Sequence, residues 1–243
     1  MLFNNILRYY FFIDFKIIMQ TYNNYFQHHW YWADLEINSS DINRQMDKKF
    51  GKYMKPDVKV LEIGTWLWNF AHYCIYKHIQ NYVGIEVDGW VAEKLWKQFD
   101  TYTIHCIDAL DYFNQTEEKF DMIFMSHVFE HFPIDDWIIL AKLIAQHLTP
   151  HGVWINVMPN AGNISGCLAR YNDITHKTLY TSNSFNQVLM EAWYNKSQIE
   201  HFNVWPRSFL KKIIAYILWK LIAIPYHTFE LMSVIYTDNR TKI

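Results

Sequence analysis

The sequence predicts an α/β fold in which a seven-stranded, mostly parallel sheet carries helices on both faces. The main observation is the stretch 58–88, VKVLEIGTWLWNFAHYCIYKHIQNYVGIEVD, which has the pattern of a strand, a tight turn, a helix and a second strand. Its first apolar run ends at Ile63, Gly64 breaks the run, and apolar residues then recur at helical spacing. The second run, predicted as a strand over 82–87, has Glu86 near its end, 22 residues after the turn glycine, as in a nucleotide-binding βαβ unit. A carboxylate at that position can accept hydrogen bonds from both hydroxyls of a ribose.

The rest of the chain continues the alternation of strands and helices. Further strands are predicted at 102–107, 119–125, 153–158, 198–204 and 232–237, of which the last two are antiparallel. Helices are predicted at 42–53, 70–79 and 135–148. One further helix follows Asp88 and ends at residue 99, and a short one ends at residue 113. Another helix begins at Ser182 or Ser184. A chain of 243 residues is long enough for one domain with appendages, and no internal repeat divides it.

The charge and the cysteine content restrict the partners and the compartment. The formal net charge is −2, so no general attraction to nucleic acid is expected. The three cysteines are scattered without a CxxC pair, which fits a reducing environment. We therefore expect a cytoplasmic protein without nucleic acid as a partner.

Five short motifs follow one another at the intervals of a known family. They read VLEIG, GIEVD, IDALDYF, FDMIFMSHVFEHF and VMPN. In this order they resemble the class I S-adenosylmethionine-dependent methyltransferases, and most of all the type 11/23-like branch that acts on small molecules and glycans. The resemblance covers about 50–194 and implies a Rossmann-like methyltransferase domain over 41–243, with S-adenosyl-L-methionine as cofactor. No metal is expected, because the leaving group of that cofactor is already cationic.

The resemblance also implies which residues hold the cofactor. The loop after the first strand would hold the methionine end, Glu86 the ribose, and Asp108 with the backbone of Ala109 the adenine. Ser126 and His127 would flank the sulfonium. The implied cofactor residues are Glu62, Gly64, Thr65, Trp66, Trp68, Glu86, Val87, Asp108, Ala109, Ser126 and His127. Asp108 is equally suited to cap the helix that follows it, which is compatible with the first role.

The loop after the first strand departs from the family pattern E-x-G-x-G-x-G at two positions. It reads EIGTWLW, with Trp66 and Trp68 in place of the second and third glycines. Forcing a residue with a Cβ into the left-handed conformation costs about 1–2 kcal/mol, and two indoles are expected to fill the methionine pocket. If both residues are genuine, the alternative is a degenerate, non-catalytic protein with a methyltransferase fold.

Glycine is rare and tryptophan is frequent in this chain. The 7 glycines are about 3% of 243 residues, against about 7% on average, and adding the 11 tryptophans restores that share. We hypothesise that the gene reads UGA as glycine and that several tryptophans are glycines in the cell. Trp66 and Trp68 are the first candidates, followed by Trp193 at a helix end. Weaker candidates are Trp30, Trp32 and Trp90, whereas Trp205 and Trp219 lie in apolar stretches and are expected to be genuine.

The motif HVFEH at 127–131 has two interpretations. His127, Glu130 and His131 match the inverted zincin pattern of a zinc hydrolase, but a strand precedes the motif, Pro133 follows it and no third ligand is evident. In the methyltransferase interpretation, His127 lines the transfer site and His131 is a candidate general base, because imidazole titrates near neutral pH. A structural His–Glu pair that caps the next helix is the alternative.

The stretch ARYNDITHKTLYTSNSFNQVL at 169–189 is expected to close over the methyl acceptor. His176, oriented by Asp173, is a further candidate base, and Asn160 and Tyr171 are candidate acceptor-side residues. The alternative is a loop that is satisfied by its own hydrogen bonds. The predicted reaction is O-methylation of a small-molecule, sugar or lipid-linked glycan acceptor, with C-methylation of a quinone or lipid as the alternative.

Both ends of the sequence are expected to be additions to the sheet. Residues 1–40 are predicted to be an extension and a cofactor-covering segment, with Met19 as a candidate start and His29 and Tyr31 as weak candidate contacts. The apolar segment 208–230 is interrupted by lysines and a proline and is too short to span a bilayer. It is predicted to be an amphipathic helical insertion that either lies at the inner face of the membrane through 208–227 or covers the domain or a dimer partner. The membrane position would suit a lipid-linked acceptor and polysaccharide biosynthesis.

Overall fold

The computed structural model of this protein describes residues 39–66, 68–162, 166–195, 199–203 and 230–236. The predictions for the N-terminal segment and for the amphipathic insertion at 208–230 therefore lie almost entirely outside the described residues. Among the helices that are described, none combines the length and the apolar character that crossing a membrane requires.

Strands and helices alternate in the predicted order. The strands are β1 (Lys59–Ile63), β2 (Asn81–Glu86), β3 (Thr103–Cys106), β4 (Phe120–Ser126), β5 (Leu148–Pro159), β6 (Ile199–Asn203) and β7 (Glu230–Tyr236). The α-helices are α1 (Ser39–Phe50), α2 (Asn69–Tyr76), α3 (Gly89–Gln98), α4 (Ala109–Gln115), α5 (Ile134–His147), α6 (Gly166–Tyr171) and α7 (Ser182–Glu191). The helix predicted over 42–53 is observed as α1, which ends at Phe50, and a separate 3-10 turn at Gly51–Tyr53 follows it.

The predicted seven-stranded sheet is confirmed, with the strand order β3-β2-β1-β4-β5-β7-β6. The first five strands in chain order run parallel, and β7 pairs antiparallel with both β5 and β6. The order of the strands reverses between β1 and β4, which are neighbours in the sheet although two strands separate them in sequence. In open α/β sheets, ligands bind outside the carboxyl ends of the strands at such a reversal.

Two apolar clusters cover the two faces of the sheet, because successive side chains of a strand point to opposite faces. In β1, Leu61 belongs to the first cluster, with residues from α4, α5 and α7, and Val60 belongs to the second, with residues from α1, α2 and α3. The clusters alternate in the same way in β5, where Trp154 joins the first and Ile155 the second. This double burial explains why the parallel strands read as continuous apolar runs.

Candidate active site

Just beyond the carboxyl ends of β1 and β4, at the crevice, one further backbone hydrogen bond extends the pairing of each strand with a neighbour. Gly64 N donates to Ile85 O at 2.9 Å, and His127 N donates to Val157 O at 2.8 Å. Gly64 has φ 73°, and a Cβ on it would lie 2.2 Å from Cγ2 of Val128. Glycine is therefore required at this first position of the loop after β1. The reasons are its left-handed conformation and the close approach of Val128 in the loop after β4.

Glu86 ends β2 as a buried carboxylate that faces the loop after β1. Its Oε1 accepts from Asp88 N at 3.0 Å, and its Oε2 lies 3.4 Å from the hydroxyl of the buried Thr65, which donates to it. Burial raises the pKa of Glu86 to about 7, against the partly compensating hydrogen bond from Asp88 N. Val87 follows, half-buried, and leads to Asp88. Thr65 and Glu86, two predicted cofactor residues, are thus brought together.

Asp108 lies at the end of β3 and begins α4. Its side chain accepts from Leu110 N at 2.8 Å, which is the N-cap role that the sequence also predicted. Burial raises the pKa of this carboxyl. Ala109 is buried directly behind it. We define the acidic edge of the crevice as Glu86 and Asp108.

Glu62, another predicted cofactor residue, has its side-chain hydrogen bond within the sheet. It is buried in β1, and the hydroxyl of Tyr82 on the neighbouring strand β2 donates to its Oε2. Burial raises the pKa of Glu62 to about 8, with a further contribution from the charge of Glu86. The direct contact that the structure gives this side chain is therefore with the sheet, and its predicted contact with the cofactor stays a prediction.

Trp68 occupies a backbone conformation that favours glycine. It has φ 58° and ψ 1° as the residue before α2, and its indole nitrogen is buried without a hydrogen-bond partner. Trp66 does not have a positive φ, so the conformational argument applies to only one of the two positions. Both half-buried indoles pack against the second apolar cluster, beneath α1 and α2.

Trp193 shows the same conflict at the end of α7. It has φ 69°, its N donates to Met190 O at 3.1 Å, and Tyr194 N donates to Leu189 O at 2.8 Å. These two bonds form the Schellman motif, whose left-handed residue is usually glycine. The predicted helix end at Trp193 is therefore confirmed. Two of the first three tryptophans that the sequence singled out as glycines have left-handed backbone.

The HVFEH motif forms a 3-10 turn at Phe129–His131 after β4, and not an α-helix. The arrangement of an inverted zincin, with both histidines on one face of a helix, is therefore not formed. The alternative in which a His–Glu pair caps the next helix is not seen either, because α5 has Pro133 as its N-cap residue and no side chain caps it.

The three predicted catalytic histidines converge on Glu130. His127, which has φ 55° and a side chain that is 44% exposed, places Nδ1 3.4 Å from Glu130 Oε1. His176 places Nε2 3.8 Å from the same oxygen and 3.8 Å from Asp173 Oδ2. The ring of His131 lies 4.7 Å from that of His176, centroid to centroid. We call His127, His131 and His176 around Glu130 the histidine cluster.

Sequence reasoning treated Glu130 as a partner of the histidines, and the structure places its carboxylate between His127 and His176. Its side chain is fully buried, and neither carboxylate oxygen has a hydrogen-bond partner. Its backbone oxygen accepts from Lys177 N at 2.8 Å, which ties the segment that carries His176 to the turn after β4. The H-x-x-E-H spacing was the available signal, but it gave no source for a third side chain, and the structure brings His176 to this position.

The acceptor-side candidates are placed differently from one another. Asn160 is buried at the end of β5 and accepts from Gly162 N at 2.9 Å, and Asp173 is buried and accepts from Thr175. Tyr171 is 76% exposed. Ser126 ends β4 half-buried, next to His127. The crevice thus has a polar histidine-rich side after β4 and an acidic side after β2 and β3.

Comparison with known proteins gives a single answer for the family. Residues 29–216 match the family model described as a methyltransferase domain. No curated protein matches the sequence. An S-adenosylmethionine-dependent methyltransferase from Archaeoglobus fulgidus is similar in structure, with a TM-score of 0.67 and 15% identity over 86% of this chain and 99% of that chain.

Two further structures have the same fold. One is an S-adenosylmethionine-dependent methyltransferase from Clostridium acetobutylicum, with a TM-score of 0.60 and 12% identity over 88% of this chain and 99% of that chain. The other is the Burkholderia thailandensis 1,6-didemethyltoxoflavin-N1-methyltransferase, with a TM-score of 0.57 and 12% identity over 89% of this chain and 84% of that chain. Since the family model spans well over half of the sequence, the chain belongs to the class I S-adenosylmethionine-dependent methyltransferases, with S-adenosylmethionine as its cofactor.

Proposed function

We propose that this chain transfers the methyl group of S-adenosylmethionine to a hydroxyl oxygen of a small-molecule, sugar or lipid-linked glycan acceptor. The observation that carries the proposal is the histidine cluster at the end of β4, beside the crevice. An acceptor hydroxyl is a weak nucleophile until a base takes its proton, and His127 is the member of the cluster with the most exposed side chain.

The residues at the strand ends fit the adenosine half of the cofactor. The buried carboxylate of Glu86 would hold the ribose hydroxyls, and Asp108 with the backbone of Ala109 would hold the adenine. Gly64 gives the backbone the close approach that the loop needs. The fit is poorer at the methionine half, where Trp68 carries a left-handed backbone and an unsatisfied indole nitrogen.

The cofactor supplies a methyl group that is activated by its positively charged sulfur. The chain would hold the acceptor beside it, exclude water and remove one proton. Nδ1 of His127 lies near the buried carboxylate of Glu130, which would orient the imidazole and stabilise its protonated form after it has accepted the proton at Nε2.

The proposal predicts that His127→Gln lowers the rate of methyl transfer to hydroxyl acceptors by about 10²–10⁴-fold, which is the usual contribution of a general base. Transfer would be measured with methyl-labelled S-adenosylmethionine and a panel of phenols, sugars and lipid-linked glycans, beside carbon and nitrogen acceptors. His105→Gln, a change of an exposed histidine in β3, is the matched control and should leave the rate unchanged. Labelling of only carbon or nitrogen acceptors would contradict O-methylation.

A second candidate is a non-catalytic protein with the methyltransferase fold. The conflict at Trp68 favours it, because a loop whose residues carry a Cβ where the backbone is left-handed would approach the methionine end poorly. Failure of the folded chain to bind S-adenosylmethionine in calorimetry, both as it stands and with glycine at positions 66 and 68, would support this candidate over the enzyme.

A further inference from the structure

Three ligand-type side chains converge in the histidine cluster. One atom each from Glu130, His131 and His176 lies within 4.8 Å of the other two. Glu130 Oε1 and His176 Nε2 are 3.8 Å apart. This is close to the about 3.4 Å that separates two ligands of a tetrahedral ion with bonds of about 2.1 Å, so a small side-chain movement would complete the geometry.

The hydrogen bond of His176 assigns its tautomer. Nδ1 lies 2.7 Å from the backbone oxygen of Ala169, and a carbonyl oxygen can only accept. Nδ1 therefore carries the proton, and Nε2 of the neutral ring presents a lone pair. That lone pair is directed at two carboxylates, those of Glu130 and Asp173, each 3.8 Å away. A lone pair that faces a carboxylate is satisfied by a metal ion or by a proton between the two groups.

A second chain of hydrogen bonds assigns the tautomer of His131. The Thr175 hydroxyl donates to Asp173 Oδ1 at 2.6 Å, so its oxygen accepts from Nδ1 of His131 at 2.9 Å. Nε2 of His131 then also presents a lone pair. Histidine ligands of metals are held in this way, with the second nitrogen donating to an oxygen of the protein.

The third group, Glu130, lies within ion-pair distance of His127 and His176 but accepts no hydrogen bond from either. Glu130 is fully buried, and neither of its carboxylate oxygens accepts a hydrogen bond. A buried carboxylate without donors is costly, and buried charges are normally paired or bound to a metal. The two histidines cannot donate to it in the tautomers that Ala169 and Thr175 impose.

We propose that Glu130, His131 and His176 form a binding site for a divalent transition metal of the Zn²⁺ class. Two imidazoles and one carboxylate suit Zn²⁺ better than Mg²⁺, and three protein ligands leave one position open for an exogenous oxygen. The oxygen that would occupy it is the acceptor hydroxyl, a role that rests on the proposed O-methylation, whereas the site itself does not. In that role the metal would stabilise the charge that develops on the acceptor oxygen, and His127 would take the proton of the hydroxyl. The sequence predicted no metal because the cofactor needs none, and this site would serve the acceptor instead.

The test measures the metal directly on the full-length chain. Protein stripped with a chelator is loaded with Zn²⁺, desalted and analysed for bound metal, and Co²⁺ is used in parallel because its visible absorption reports coordination. We expect one equivalent of bound Zn²⁺ per chain, and an excess of Mg²⁺ should not displace it. Glu130→Gln and His176→Gln should each weaken binding at least tenfold, a conservative expectation for the loss of a direct ligand. His105→Gln removes an exposed histidine and should bind like the parent.

Bound metal below a tenth of an equivalent in the parent, or unchanged binding in both variants, would overturn the site. Circular dichroism checks the fold, and His176→Gln decides the result if the change at the fully buried Glu130 unfolds the chain. Cofactor affinity of the metal-free protein is measured separately by calorimetry. Cofactor binding and methyl transfer without metal would leave the proposed function intact while removing the metal site. Stoichiometric metal without transfer to hydroxyls would leave the metal site intact while removing the proposed function.

Discussion

The acidic edge and the loop that carries Trp66 and Trp68 lie at the same end of the sheet, yet their residues meet opposite conditions. Glu86 is buried but receives the backbone N–H of Asp88 and faces the hydroxyl of Thr65. Trp68 has left-handed backbone and a buried indole N–H without a partner. In the first region each polar group is supplied with a partner by residues next to it in the fold. In the second, the residue type conflicts with the backbone that holds it.

At position 68 the residue type does not suit the backbone conformation that the fold imposes. The left-handed conformation at position 68 is set by the turn into α2, in which Trp68 N donates to Thr65 O at 2.9 Å. The backbone conformation therefore favours glycine at position 68, where the sequence has tryptophan, the largest residue type. The same disagreement appears at Trp193, in a helix end that has no part in the crevice. A cause that acts on tryptophan as a residue type, such as the hypothesised reassigned UGA codon, would account for both places, although not for the three histidines with the same backbone conformation.

The largest gain in cofactor affinity is expected from replacing both loop indoles. We predict that Trp66→Gly with Trp68→Gly raises the affinity for S-adenosylmethionine at least tenfold, because glycine lets the backbone approach a ligand closely. Calorimetry on the parent and the double variant measures this. Trp193→Gly is the matched control, since it makes the same change outside the crevice and should leave the affinity unaltered. Equal affinity of parent and double variant would show that the loop tolerates indoles.

A loss of cofactor affinity is expected at the acidic edge. Glu86→Gln should weaken S-adenosylmethionine binding by about 10- to 100-fold, because hydrogen bonds to a charged group contribute about 1.5–3 kcal/mol. Glu93→Gln makes the same change on the exposed side of α3, where Glu93 pairs with Lys97 at 2.6 Å, and should have no effect. The measurement is best made in the background of the glycine double variant, where affinity is highest. Unchanged binding of Glu86→Gln would remove this residue from the predicted ribose site.

The sequence predicted the sheet well because its signals are local. Apolar runs, turn glycines and acidic strand ends each lie within a few residues, and β1, β2 and β4 begin and end within about one residue of prediction. Asp108 was predicted both as a cap and as a site residue for the same reason.

The histidine cluster could not be predicted in the same way. His176 meets Glu130 only because the segment after α6 bonds back to the turn after β4, through Lys177 N and Glu130 O at 2.8 Å. The tautomers of both histidines depend on Ala169 and Thr175, which carry no sequence signal. The spacing H-x-x-E-H names two of the ligands, but only the tertiary structure supplies the third.

The smallest expected effect concerns stability and separates tryptophan from other residues in the same backbone conformation. His78 ends α2 in a second Schellman motif, with φ 58°, His78 N donating to Ile75 O at 2.9 Å and Ile79 N donating to Cys74 O at 2.9 Å. Trp193→Gly should raise the free energy of unfolding by about 1 kcal/mol, since left-handed backbone costs about 1–2 kcal/mol with a Cβ and the lost contact of the indole with Lys142 offsets part of the gain. His78→Gly should gain less, because histidine visits this conformation more readily than bulkier residues do. Urea denaturation of the parent and the two variants measures both values. A loss of stability in Trp193→Gly would mean that the indole contributes more by packing than its backbone costs, and that tryptophan belongs at this position.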